Sequence, residues 1–367
     1  MTDRVSRRAV LGAGLAGAVC GCLPTVEERP NYLLLSAADD AEGRHFLVVS
    51  DSTGIPLRSV PVPFRGHEVL VSPSGRHAVM IGRRPAAEGV RISLGNDESP
   101  RLFRARSGRH FYGHAVYSRD ENYLFTTEND FNGGRGTIAV RDAITLQQVD
   151  EFPSGGVGPH QLAWLNDGRT LVVANGGIRT HPARPRKKLD LANMASNLAF
   201  IDQASGKILK TVRSPEQHSS IRHLAVSKLD EVVVGIQYEG AVTDTVPLSL
   251  VLDAAALEWR LPLLTPENWQ GLHHYVASVA IDDTTRTAAI SSPRGNQVYF
   301  FSIDDGRLTH SQTVRDVAGI AVHNRSFVTT SGLGAVRYSD VQSPSVVIRE
   351  HVEPLRWDNH VTVHRLS

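Results

Sequence analysis

His67-Glu-Val-Leu-Val-Ser-Pro-Ser-Gly75-Arg-His-Ala-Val-Met-Ile-Gly-Arg83 and His160-Gln-Leu-Ala-Trp-Leu-Asn-Asp167-Gly-Arg-Thr-Leu-Val-Val-Ala-Asn175 share one grammar. Each leaves a histidine along a short apolar run, reverses at a turn rich in Ser, Gly, Asn or Asp, and returns along a second apolar run to a polar residue. That is strand, turn, strand. The unit recurs from His114 through the turn Arg119 to Asn122 and on to Asn129, and from His223 through Lys228 to Glu231 and on to Gln237. Weaker copies run from Ser278 through Asp282 and Asp283 to Ser291, and from Gly319 through His323 and Asn324 to Ser331.

Working outward, several hairpins are followed by a third strand that ends in a turn, as in Thr137 to Asp142, Asn197 to Asp202 and Gln297 to Asp304. No apolar period of 3.6 residues is sustained beyond Pro30, so the reading is all-β. A repeat of roughly 40 to 60 residues carrying four short strands is a propeller blade, which buries its two faces only by stacking on its neighbours. Six copies and the opening strand Tyr32 to Ala37 predict a single seven-bladed β-propeller. The segment Trp357 to Leu366 returns to complete the first blade, closing the ring and removing its free edges. A pair of β-sandwiches is the competing all-β arrangement.

In such a ring the first strand of each blade lines the central channel and the second runs antiparallel to it. The start of strand one and the end of strand two therefore share a mouth. Centring each hairpin on its turn pairs His67 with Arg83, His114 with Asn129, His160 with Asn175 and His223 with Gln237. Four consecutive blades thus present a histidine at one equivalent position, and the strand-two ends bring Arg83, Arg84, Glu128, Asn129, Asp130, Asn175 and Gln237 to the same rim. Arg222 accompanies His223, Arg294 joins from the sixth blade, and the insertion Gly176 to Met194, with His181 and the basic run Arg184 to Lys188, is placed to cover the rim.

Two readings of the histidines stand side by side. They are repeat residues that space the blades, or, with Glu128 and Asp130, they hold iron, another transition metal or a haem. Imidazole also qualifies for general acid or base work near neutral pH. Arg83, Arg84 and Arg222 would suit the carboxylates of a haem or a metal chelate.

The N-terminus reads as an address. Ser6-Arg7-Arg8 stands before an apolar run from Ala9 to Val19, the pattern of a twin-arginine export signal and too short to span a bilayer. Ala16-Gly17-Ala18 offers a cleavage site, whereas Val19-Cys20-Gly21-Cys22 resembles an imperfect lipobox that would lipidate Cys22. The expected organisation is an export signal over 1–22, a linker over 23–30 and the propeller over 31–367, placed in the periplasm and held to a membrane only through that lipid.

Bulk composition sets limits. The chain has 367 residues, 41% of them hydrophobic, which suits one large all-β domain. Its 39 basic against 38 acidic residues give a net charge of +1, with no general attraction to nucleic acid. Cys20 and Cys22 are the chain's 2 cysteines, so beyond the signal there is no disulfide framework and no thiolate chemistry. No G-x-S-x-G elbow, H-E-x-x-H helix, phosphate loop or dinucleotide turn occurs in a supporting context.

The stretches Phe111 to His114, Thr127 to Asp130, Gly158 to His160, Val173 to Ile178, Ser220 to Leu224 and Ser292 to Gly295 together resemble the domain-of-unknown-function 1513 family of exported bacterial propellers. The resemblance covers nearly the whole mature chain. It implies an iron-related exported setting, since relatives are encoded beside imelysin-type and di-haem oxidoreductase-like proteins, and an imelysin-like partner. It implies no established reaction. The repeat is more distantly similar to surface-layer and lactonase-type propellers, but no matching metal-carboxylate set carries lactonase activity across.

Three functions therefore stand as expectations. The first is an accessory of iron, metal or haem acquisition at a histidine-lined mouth. The second is an oxidoreductase or lactone-type hydrolase with Glu128 or a histidine as base, and the third is a scaffold whose rim and 176–194 loop dock another exported protein.

Overall fold

The computed structural model describes residues 32–184 and 187–366. The export signal, the linker and Cys22 lie outside the described residues. Seven antiparallel sheets follow one another in chain order, six of four strands and one of five. The innermost strands of the second to seventh blades are Gly66–Val71, Arg109–Tyr117, Pro159–Trp164, Ser219–Val226, Ser278–Asp282 and Val317–His323. Each packs on the next around the channel.

The first blade is built from both ends of the described chain. Tyr32–Asp39 pairs outward with His45–Ser50, and inward with Thr362–Arg365 along Tyr32 to Leu35 and with Arg356–Trp357 at Ala38 and Asp39. The expected closure is therefore present. Between those two short strands the chain leaves the ladder over Asp358, Asn359, His360 and Val361, and this excursion faces the channel site described below.

Apolar side chains from adjacent sheets fill the spaces between blades; Phe125, Phe152 and Leu171, for example, share one such cluster across the third and fourth blades. Burying alternate residues on both sheet faces is what the period-two pattern of the strands requires. Asp253 to Glu258, which reads as helix-like from its alanines, is a turn between Ser249–Asp253 and Glu258–Arg260. The Asp253 carboxylate accepts the backbone N–H groups of Ala255 and Ala256, and Leu257 sits at φ 61, so an Asx turn displaces the helix. The α-helix of this region is Pro266–Gly271, capped by Thr265.

The fourth-blade hairpin keeps the turn-centred register at Leu162 and Val173, but the other three histidine-bearing hairpins depart from it. Glu68 faces Ile81, Ala115 faces Thr126, and His223 faces Gly235. Beyond those pairs, a β-bulge in the innermost strand of each histidine-bearing hairpin shifts the ladder further: His67 is extra between the Gly66–Gly82 and Glu68–Ile81 pairs, and Arg222 is extra between Ile221–Ile236 and His223–Gly235. Tyr112 to His114 and His160 to Gln161 occupy the corresponding irregularities of the third and fourth blades. A bulge locally turns the strand and re-aims its side chains. Here it turns them toward the axis.

Candidate metal centre in the channel

Five imidazoles meet in the channel: the four anticipated ones, His67, His114, His160 and His223, and a fifth, His360, from the closing segment. Taken in order around the ring, the centroids are 4.8 Å apart for His360 to His67, 4.9 Å for His67 to His114, 4.9 Å for His114 to His160 and 4.8 Å for His160 to His223. His223 and His360 are 4.9 Å apart, and His114 lies 4.6 Å from His360 across the set, so the five rings form a compact cluster. The step from His223 to His360 spans the sixth and seventh blades, which contribute no histidine; the sixth has no bulge, and the bulge of the seventh holds Ala318 and Gly319. A side chain at Gly319 would meet the backbone of His360 and Val361 at 3.1–3.2 Å, so glycine there admits the closing segment. Gly113, at φ 108, serves the same end opposite: a Cβ would lie 2.2 Å from His67 Cδ2.

All five side chains are buried. Burial pushes the His67 imidazole down to about 3 against the opposing pull of the Asp358 hydrogen bond, and burial followed by the neighbouring imidazoles holds His160, His223 and His360 well below the ordinary range. These four are neutral at physiological pH, the state in which imidazole ligates a metal.

One carboxylate orients an imidazole of this set, and a second stands beside another. Asp358 accepts from His67 Nδ1 at 3.1 Å, from Arg83 Nη1 at 2.7 Å and from Arg65 Nε at 2.8 Å. Burial opposes its ionisation, but the Arg83 charge, the His67 contact and Arg65 outweigh burial and hold it well below the usual carboxylate range. Donation from Nδ1 leaves His67 Nε2 with its lone pair, buried and without a partner. A Glu68 carboxylate oxygen lies 3.1 Å from His114 Nδ1, out of line for a hydrogen bond. Both nitrogens of His114 and of His223, Nδ1 of His160 and Nε2 of His360 are likewise buried and unpartnered. Buried polar atoms ordinarily find partners, so this concentration is the anomaly of the molecule.

The donor set fits a transition ion. Nitrogens of His67, His114 and His360 lie within 4.8 Å of one another, as do those of His114, His160 and His223. An ion roughly 2.1 Å from each of three nitrogens draws them in to about 3.4 Å, a modest rotation of the rings. A carboxylate behind a ligating histidine, as Asp358 stands behind His67, is the usual way to fix tautomer and raise basicity.

Glu128 and Asp130 do not join this centre. Glu128 is fully buried between the second and third blades, where Arg141 Nη2 donates to it at 2.5 Å and Thr126 at 3.0 Å. Asp130 accepts from Arg135 at 2.9 Å and caps the Gly133 turn. Both corrections follow from the register shift, because a bulge on strand one slides strand two past it.

The rim residues divide. Arg83 holds Asp358, Arg294 stacks 4.5 Å from the Tyr275 ring, and burial, followed by the charge of Arg222, holds the Arg84 guanidinium below its ordinary range. Asn129 donates to His110 and to the Thr180 carbonyl, whereas Asn175 is buried in a local network with Ser154 and Asn197. Gln237 pairs with Ser220 and bridges to Tyr275. Among the described residues of the 176–194 insertion, Thr180 meets the Tyr112 hydroxyl at 3.2 Å, and Lys188 pairs with Glu239.

The hairpin repeat does not mark His360 and Asp358, because the closing segment has no turn-linked partner in sequence. The signal that could find them is position: they open the strand that plays the innermost role in the first blade.

This geometry defines a seven-bladed propeller whose channel is occupied by a ring of inward-facing imidazoles. Residues 60–364 match the family described as a protein of unknown function, DUF1513, and the chain belongs to that family. No curated protein sequence matches it. Among solved structures, a functionally unknown protein from Desulfotomaculum acetoxidans is similar with a TM-score of 0.62 and 9% identity, over 92% of this chain and 100% of that one. Hydrazine synthase from Kuenenia stuttgartiensis is similar with a TM-score of 0.61 and 14% identity, over 95% of this chain and 99% of that one. Both likenesses are of fold alone.

Proposed function

We propose that this protein is an exported propeller that holds a transition-metal ion in its histidine ring and serves as an accessory of iron or metal handling, exchanging its ion with an imelysin-like exported partner. The observation that carries the reading is the compact cluster of five buried imidazoles, seven of whose ten ring nitrogens are buried without a partner. Imidazoles without thiolate or direct carboxylate ligation suit iron, copper, zinc or nickel. Centroid spacings of 4.6 to 6.4 Å admit an ion between the rings but not a haem macrocycle. The iron setting and the twin-arginine route rest on the N-terminal sequence and the family resemblance.

An oxidoreductase is the second reading, favoured by the fact that a three-histidine set leaves coordination positions open. A lactone-type hydrolase with Glu128 as base is disfavoured, since Arg141 holds that carboxylate away from the channel. A pure docking role for the 176–194 loop finds less support, because Thr180 and Lys188 are already engaged within the chain.

The test is elemental analysis of protein exported by its native host, wild type against a His114→Ala, His160→Ala double variant and a His360→Ala variant. Stoichiometric metal in the wild type, lost in both variants with the far-ultraviolet dichroism unchanged, is the expected result. A wild type that stays empty after addition of iron, copper and zinc overturns the reading.

A further inference from the structure

We propose that the channel mouth carries a second site, built by Arg84 and Arg222, that binds a small polycarboxylate. This site stands on its own observation and does not require an ion in the ring.

Arg222 is only 6% exposed and is the extra residue of the fifth-blade bulge, immediately before His223. Its side chain runs against Gly176, where an added Cβ would lie 3.3 Å from the guanidinium Nε. That Nε is buried without a hydrogen-bond partner. Among the described residues no carboxylate lies within ion-pair distance of Arg222 or Arg84. Arg84 follows the second-blade strand His77–Gly82, half-buried near Tyr112. Burial, then the charge of Arg222, holds its guanidinium below the ordinary range. Glu239, the acid that Arg84 senses, is paired with Lys188, and Asp358 is taken by Arg83, Arg65 and His67.

Two cations brought together and partly desolvated without a counter-ion are unfavourable. A ligand carboxylate relieves both penalties at once, and the planar fork of arginine accepts it in two parallel hydrogen bonds. The class of ligand follows from the number of cations. Arg83, next to Arg84 in the chain, lines a pocket of about 480 Å³ with Arg65, Arg294 and Arg356 against Asp39 and Asp316, and because Asp358 already takes Arg65 and Arg83, the uncompensated charge rests first on Arg84 and Arg222 themselves. A di- or tricarboxylate fits that excess better than a monoanion. It can arrive free or already bound to a metal, and the shared chemistry is the carboxylate.

The experiment is calorimetric titration of citrate into the full protein, once after chelator treatment and once with ferric ion added, with metal content measured on the same samples. Saturable binding to the wild type is expected, weakened at least tenfold in Arg84→Gln and in Arg222→Gln and unchanged in Arg106→Gln. Each rim substitution should also raise the melting temperature of the ligand-free protein, and citrate should raise that of the wild type. Binding by citrate alone identifies a free polycarboxylate, whereas binding only with ferric ion identifies a chelate. A wild type indifferent to citrate in both states, or binding that neither substitution weakens, overturns the proposal. Citrate binding by a protein that takes up no metal leaves this site standing while defeating the ring, and metal uptake without citrate binding does the reverse.

Discussion

Two buried arginines in this propeller have opposite fates. Arg141, 1% exposed, lies between the second and third blades with Glu128 as counter-ion, the carbonyls of Arg104 and Leu146 as acceptors, and the rings of Phe103 and Phe111 each 5.3 Å from its guanidinium carbon. Arg222, 6% exposed, has an unpartnered Nε and a second cation for a neighbour. The first is compensated from every side and belongs to the architecture. The second is left in deficit beside the histidine ring, and such a deficit is where a ligand enters.

The largest effect that sharpens this contrast is expected from Glu128→Ala, which places Arg141 in the condition of Arg222. It should cost about 3–5 kcal/mol in urea unfolding, because a buried charge loses its partner. A Glu128→Gln, Arg141→Met double variant should recover most of that loss. A cost well under about 1 kcal/mol for Glu128→Ala would break the comparison, since surface pairs behave that way.

Arg222→Met should move in the other direction and stabilise the ligand-free protein by about 1–2 kcal/mol, as apolar replacement of poorly compensated buried charge often does. Destabilisation would mean that Arg222 is already satisfied.

His110 offers a third probe from the compensated side of the rim. Burial pushes it down to about 4; its Nδ1 donates to the Phe111 carbonyl and its Nε2 accepts from Asn129, the pattern of a neutral ring. Since the unfolded chain binds the proton first, the contribution of His110 is intact above about pH 6.5 and is lost as pH falls toward about 4, at up to about 1.4 kcal/mol per pH unit. His110→Gln should make the unfolding free energy shallower over that window by this amount, and an unchanged slope would show that the ring is solvated.

The smallest effect concerns salt. Raising sodium chloride from low to physiological strength should stabilise the wild type by a few tenths of a kcal/mol through screening of Arg84 against Arg222. The gain should vanish in Arg222→Met and persist in Glu128→Gln.

The contrast also locates what sequence could and could not convey. Repetition of the strand-turn-strand unit made the blade count, the ring closure and four of the five histidines readable, because all depend on local pattern. Glu128 was misplaced because centring a hairpin on its turn assumes an unbroken ladder, while the bulges at His67, at Tyr112 to His114 and at Arg222 consume residues that no propensity announces. Asp358 and His360 were missed for a different reason: their partners lie some 291 positions away, as the contact of Asp358 with His67 shows, and nothing in the local pattern joins them. The deficit at Arg222 is legible only once burial is known.

The closing segment has one more consequence. A propeller is an open chain whose last strand is pressed into its first blade, and it can be expected to unravel from that seam. His360 sits on the seam and shares its ring with His67 and His223. An ion ligated across these residues would act as a padlock, so that peeling the terminus away would require breaking metal–nitrogen bonds first. The lifetime of the folded molecule among proteases, a kinetic quantity, would then be set by its metal load as much as by its equilibrium stability.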